Sequence, residues 1–149
     1  MFDIILSSSL FQIFLAAVLG MVIGFERERM DKPAGLRTYA LVSLGSALFT
    51  ILSATGFKHF EGSVGYDPSR IASQIVVGIG FLGAGIIFFT KAKVRGLTTA
   101  AAVWVSAAIG MAVGLEFYSV AVFTTLLTVL ILWFLRIAEA GIDKRNEIS

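Results

Sequence analysis

An all-α integral-membrane bundle of five transmembrane helices is the fold class this sequence predicts, and three observations carry it. Mean hydropathy is +0.89. Hydrophobic residues make up 57% of the chain, with only two prolines. Five apolar runs alternate with short charged segments, a pattern of membrane spans and not of a water-soluble core. The spans fall at about residues 4–25, 38–57, 71–89, 98–114 and 117–135, inside one transmembrane domain of residues 1–140, with a short polar tail at 141–149.

The first run follows only Met1, Phe2 and Asp3 and leads directly into a charged block. Without a basic n-region or a small-residue cleavage site, it reads as a first span and not as a removable signal peptide. The block from Glu26 to Arg37 carries seven charges. Each would cost roughly 2.5–3.5 kcal/mol at the bilayer centre, so the block belongs at the membrane surface. If the first helix runs on past the surface, Arg27 meets Asp31 and Glu28 meets Lys32 at a spacing of four. Pro33 and Gly35 then end it.

The second span is lined with small residues, among them Ala40, Ser43, Gly45, Ser46, Ala47, Ser53 and Ala54, and Gly56 is its expected stop. A loop with Lys58, His59 and Glu61 follows. Asp67-Pro68 opens the third span in the order of an N-cap and a first-turn proline.

The third span, Ile71 to Phe89, has nineteen uncharged residues and reaches roughly 28 Å as a helix, about the hydrocarbon thickness. It contains Gly78, Gly80, Gly83 and Gly85. Each costs roughly 1 kcal/mol against alanine, so close helix contact is the expected compensation, and the span is expected at the centre of the bundle. Its literal G-x-G-x-x-G lies inside an unbroken apolar run and not at a strand-to-helix turn, which excludes a dinucleotide reading. A basic loop with Lys91, Lys93 and Arg95 leads to the alanine-rich fourth span, expected to be shielded by protein. The fifth, rich in Val, Leu, Ile and Phe with Trp133 near its end, is expected to face lipid.

Ten Lys and Arg residues lie on one side of this arrangement against Lys58 and Arg70 on the other. The positive-inside rule therefore predicts an N-terminus outside the cytoplasm and a C-terminus inside it. That distribution explains the net charge of +2 and removes any need for a nucleic-acid partner. Cysteine is absent, so thiolate metal sites and cysteine nucleophiles are excluded. The single histidine, His59, supports no catalytic triad, and no enzyme activity is expected.

Five ordered blocks carry a family resemblance: Gly24-Phe-Glu-Arg-Glu-Arg29, Lys32-Pro-Ala-Gly-Leu-Arg-Thr38, Asp67-Pro-Ser-Arg-Ile-Ala-Ser-Gln74, Gly78-Ile-Gly-Phe-Leu-Gly-Ala-Gly85 and Val94-Arg-Gly-Leu-Thr-Thr-Ala-Ala-Ala-Val-Trp104. Over about residues 20–115 the chain resembles the bacterial MgtC/SapB family of inner-membrane proteins. The resemblance implies a small multi-span protein of magnesium homeostasis and adaptation to low magnesium. It implies a regulator of other membrane proteins at least as strongly as a transporter. Many members carry an ACT-like C-terminal domain, and no such domain is expected in this chain.

The candidate sites follow. Gly78, Gly80, Gly83 and Gly85, with Thr98, Thr99 and Trp104, are expected to pack helices or bind a partner. Gln74 and Ser106 are expected to bond between helices. The boundary charges Glu26, Arg27, Glu28, Arg29, Arg37, Asp67 and Arg70 are the ionisable candidates. Arg37 either snorkels or meets Glu26 or Glu28; Arg70 snorkels or meets Asp67 or Glu116. Glu26, Glu28 and Asp67 are weak candidates for hydrated Mg2+, which commonly uses one or two carboxylates. No other cofactor is expected. The expected partners are the lipid bilayer and either copies of the chain or other membrane proteins. The competing expectation is a magnesium or other cation transporter or channel. It is disfavoured because no acidic residue lies in the middle of any span.

Overall fold

The computed structural model describes residues 2–56, 62, 67, 69–90 and 93–146. His59, Lys58, Glu61 and Lys91 lie outside the described residues. The elements are α1 (Phe2–Glu28), α2 (Leu36–Thr55), α3 (Ser69–Ile86), β1 (Phe88–Thr90), β2 (Lys93–Arg95), α4 (Leu97–Gly114) and α5 (Tyr118–Asn146). The first four helices are each long and apolar enough to cross a membrane. The apolar part of α5 is shorter, Tyr118–Phe134. The chain is a membrane helix bundle.

α1 and α4 end by the same device. The amide of Lys32 bonds the carbonyl of Arg27 while that of Asp31 bonds Glu28, with Asp31 at φ 50°. At the end of α4, Phe117 bonds Ala112 and Glu116 bonds Val113, with Glu116 at φ 66°. Both are Schellman closures with an acidic residue where glycine is usual. Because α1 closes here, the expected Arg27–Asp31 and Glu28–Lys32 pairs do not form. The stop is the left-handed turn at Asp31, ahead of Pro33 and Gly35.

α2 is held between α1 and α4, and α4, the most buried span, touches every other helix. A methyl group on Gly20 would lie 2.4 Å from the carbonyl oxygen of Tyr39, and one on Gly24 would lie 2.6 Å from Cα of Leu36. From the other side, Gly110 would meet the Ser43 carbonyl at 2.1 Å, and Gly114 would meet Cβ of Thr50 at 2.8 Å. Each pair is a Gly-x-x-x-Gly face pressed against α2 backbone, the contact by which membrane helices approach closely. Hydrogen bonds join α2 to α4: the Tyr39 hydroxyl donates to the Thr99 carbonyl at 3.2 Å, and the Ser106 hydroxyl donates to the Tyr39 carbonyl at 3.1 Å. Ile23, Val103, Ile109 and Val113 complete the buried interior.

The expectation that α3 sits at the centre is corrected. Of α4, half the span is buried; of α3, 11%. Ile79 is the buried residue of α3, flanked by the partly buried Ile75 and Ile86. These isoleucines form one stripe against α4 and α2, and the rest of the helix faces away. The third span also ends earlier than expected. Ile86 is its last helical residue, and Phe88–Thr90 pairs antiparallel with Lys93–Arg95. Aromatic and β-branched residues favour that extended form. The fifth helix, in turn, continues through residues expected to be tail. Val120, Phe123, Leu126 and Phe134 are exposed on it, as a lipid-facing helix requires.

Gly110→Ala is expected to lower stability by about 3 kcal/mol or more, because backbone must move to admit the methyl. Gly78→Ala and Gly80→Ala, which meet open space, are expected to be neutral or to gain up to about 1 kcal/mol. Unfolding of detergent-solubilised protein measured by circular dichroism checks the contrast.

Candidate functional site

Two regions hold the candidate residues: a charged collar where α1 turns into α2, and the outward face of α3.

In the collar, Arg27 is only 4% exposed. Its guanidinium donates to both carboxylate oxygens of its neighbour Glu26, Nε to Oε2 and Nη2 to Oε1, the latter at 2.8 Å. A buried arginine requires such a partner, and the planar fork of its donors matches the carboxylate. Glu28 turns the other way. Its Oε2 accepts the amide of Leu36 at 2.8 Å, capping α2 from the end of α1. An acidic group there complements the helix dipole. The Schellman turn is what brings Glu28 over Gly35. Arg29 lies 5.8 Å over the Phe25 ring, and the exposed Arg37 meets neither Glu26 nor Glu28. Glu26 and Glu28 are thus engaged by the chain itself, while Asp31 forms the left-handed turn.

Asp67 is the expected cap of α3. Its Oδ1 accepts the Ser69 amide at 2.9 Å and the Ser69 hydroxyl at 2.7 Å. These bonds hold its carboxyl below the usual range. Arg70 stands 4.0 Å from Asp67, both exposed, a pair of little energetic weight. α2 separates Asp67 from the collar by its twenty residues, roughly 30 Å. The structure therefore does not bring Glu26, Glu28 and Asp67 together. Among the described residues no cluster of three metal-ligating side chains occurs.

On α3, methyl groups at Gly78, Gly80 and Gly85 would meet nothing within 4 Å, and one at Gly83 would touch Cβ of Ala100 at 3.8 Å. Only Gly83 therefore packs within the chain. Arg70, Ser73, Gln74, Val77 and Phe81 share the open side and are exposed. Gln74 consequently does not bond to a neighbouring helix, whereas Ser106 does. Thr99 is buried, while Thr98 and Trp104 are exposed. The residues that lock the bundle, Gly20, Gly24 and Tyr39, are absent from the sequence candidates. The spacing of four between Gly20 and Gly24 is the signal that could have found them. Ser43 Oγ is buried without a hydrogen-bond partner.

With this geometry in place, the MgtC family model matches residues 13–140. The chain belongs to the MgtC family. YhiD of Escherichia coli K12, whose name makes it a candidate magnesium transporter, is 47% identical over 123 residues, 81% of this chain and 57% of YhiD. Protein SapB of Bacillus subtilis is 42% identical over 125 residues, 82% of this chain and 53% of SapB. Protein MgtC of Brucella abortus is 46% identical over 121 residues, 81% of this chain and 48% of its own length. The chain thus spans about half the length of these relatives. No solved structure matches it.

Arg27→Ala is expected to cost about 3 kcal/mol, because it strands the Glu26 carboxylate. Ser43→Ala is expected to be neutral or slightly stabilising, since it removes an unsatisfied hydroxyl. Equilibrium unfolding in detergent separates the two. The lowered carboxyl of Asp67 sets a pH sign. Its contribution is complete above the usual carboxylate range and is lost as pH falls through the lowered value, so Asp67→Asn should flatten stability on the acid side only.

Proposed function

We propose that this chain acts in magnesium homeostasis in a bacterial inner membrane, as a non-catalytic regulator that contacts copies of itself or other membrane proteins. The name of YhiD and membership of the MgtC family support the magnesium connection. The observation that carries the regulatory reading is the outward face of α3. In hydrocarbon a helix gains nothing by presenting glycine, serine and glutamine to lipid, whereas those residues let a second helix approach closely and bond to it. Gly78 and Gly85 lie beside Gln74, and Gly80 lies beside Ser73, on either side of Phe81; among the described residues methyl groups at these glycines meet nothing within 4 Å, and the Ser73 hydroxyl bonds only the Arg70 carbonyl of its own helix. The distribution of Lys and Arg supports an outside N-terminus and a cytoplasmic C-terminus.

Conduction by the chain itself finds less support. Ser43 and Thr50 lie where Gly110 and Gly114 press against α2. Of the collar carboxylates, Glu26 is already paired with Arg27 and Glu28 already caps α2.

Photo-crosslinking from position 81 on α3 in cell membranes is expected to yield adducts to a protein. Gly80→Leu should abolish them and Glu28→Gln should leave them largely intact. Purified protein in liposomes is expected to show no saturable magnesium flux above empty liposomes. Flux that falls in Glu28→Gln, with adducts indifferent to Gly80→Leu, would overturn the proposal in favour of transport.

A further inference from the structure

We infer that the β1–β2 hairpin is a lipid-binding device that inserts one face into the bilayer interface and selects anionic phospholipid headgroups. The inference depends on the chain being a membrane protein and not on the regulatory reading of α3.

Three observations lead to it. The first is position. α3 leaves the membrane at Ile86 after eighteen residues, roughly 27 Å of helix and so close to the full hydrocarbon thickness. α4 re-enters at Leu97. The hairpin begins two residues after the exit and ends two residues before the re-entry, so it has no length with which to leave the interface. Gly96 fixes this geometry. Its φ is 89°, and a methyl group there would lie 2.2 Å from the Ile86 carbonyl oxygen, so the base of the hairpin is pressed onto the end of α3.

The second observation is the division of its faces. Phe89 pairs with Val94, and directly opposite residues of an antiparallel pair share a face. That face is wholly apolar and open: Phe89 is 79% exposed and Val94 44%. Phe88 pairs with Arg95 and Thr90 with Lys93 on the other register. An aromatic side chain so exposed at a membrane boundary gains by entering the acyl region.

The third is uncompensated charge. No Asp or Glu occurs between Asp67 and Glu116. Arg95 is exposed, while the ion pairs among the described residues are Glu26–Arg27 and Asp67–Arg70. A cation held at the lipid surface without a carboxylate of its own is complementary to a phosphodiester headgroup, and basic residues near an anionic leaflet are attracted to it. The occupant is therefore an anionic phospholipid of the bilayer that holds the protein.

The test places a single indole on the hairpin. Phe89→Trp in a Trp104→Phe, Trp133→Phe background, both of these tryptophans being about half exposed, is reconstituted into vesicles. Brominated phosphatidylglycerol or brominated phosphatidylcholine is supplied at equal mole fraction. The indole is expected to be quenched by brominated chains, with at least a threefold preference for the anionic lipid. Lys93→Gln with Arg95→Gln should bring that preference to about one. Equal quenching by both lipids overturns the selectivity. Absence of quenching overturns the insertion. A preference that survives the double substitution overturns the assignment to these residues. Native mass spectrometry of the otherwise unaltered chain, with and without the double substitution, reads phosphatidylglycerol retention independently of the tryptophan background. Fewer retained molecules in the double variant are expected, and equal retention contradicts the inference.

Discussion

The close approach of glycine to the α2 backbone is the contact on which the rest of the bundle depends. In a bilayer the hydrophobic effect gives helices no reason to prefer one another over lipid, so van der Waals contact and interhelical hydrogen bonds must supply the difference. Gly20 and Gly24 on one side and Gly110 and Gly114 on the other let α1 and α4 reach the carbonyls of Tyr39 and Ser43. The Tyr39 and Ser106 hydroxyls then bond across the α2–α4 seam. The collar follows from the same arrangement, because only a short turn from α1 to α2 brings Glu28 to the first amide of α2.

This core divides the molecule into a locked part and an available part. α1, α2 and α4 use their small residues on one another. α3 attaches by a stripe of isoleucines and leaves Gly78, Gly80, Gly85 and its polar residues facing outward. Its end is tied to the hairpin through Gly96. Partner contact, as proposed above, belongs to a span of which only 11% is buried within the chain.

Much of the fold was legible in the sequence because membrane spans are set by length and hydropathy. The second and fourth spans were read to within about two residues, and the buried character of the fourth followed from its alanines. The N-cap at Asp67 was equally legible, since Asp-Pro-Ser acts within three residues. What failed was the assignment of neighbours. Four glycines in α3 mark a close contact but do not say whether it is with this bundle or with a partner, and only the central position expected for the span is corrected. The Gly-x-x-x-Gly pairs that pack internally are less conspicuous, with two glycines each. The collar was hidden for a different reason. Its pairs form only after Asp31 enters a left-handed turn, and an acidic residue in that conformation has no strong local signature.

A closed α1–α2–α4 core is the central claim, and cysteine accessibility tests it most directly because the chain has no cysteine of its own. Ser43→Cys and Ser106→Cys, nearly isosteric and buried, are placed singly in membranes and treated with a small water-soluble maleimide, with Arg29→Cys as the reactive reference. Both core positions should stay unmodified with or without magnesium while the reference reacts fully. Ready modification of either, above all modification that changes with magnesium, would show water inside the core and contradict the account.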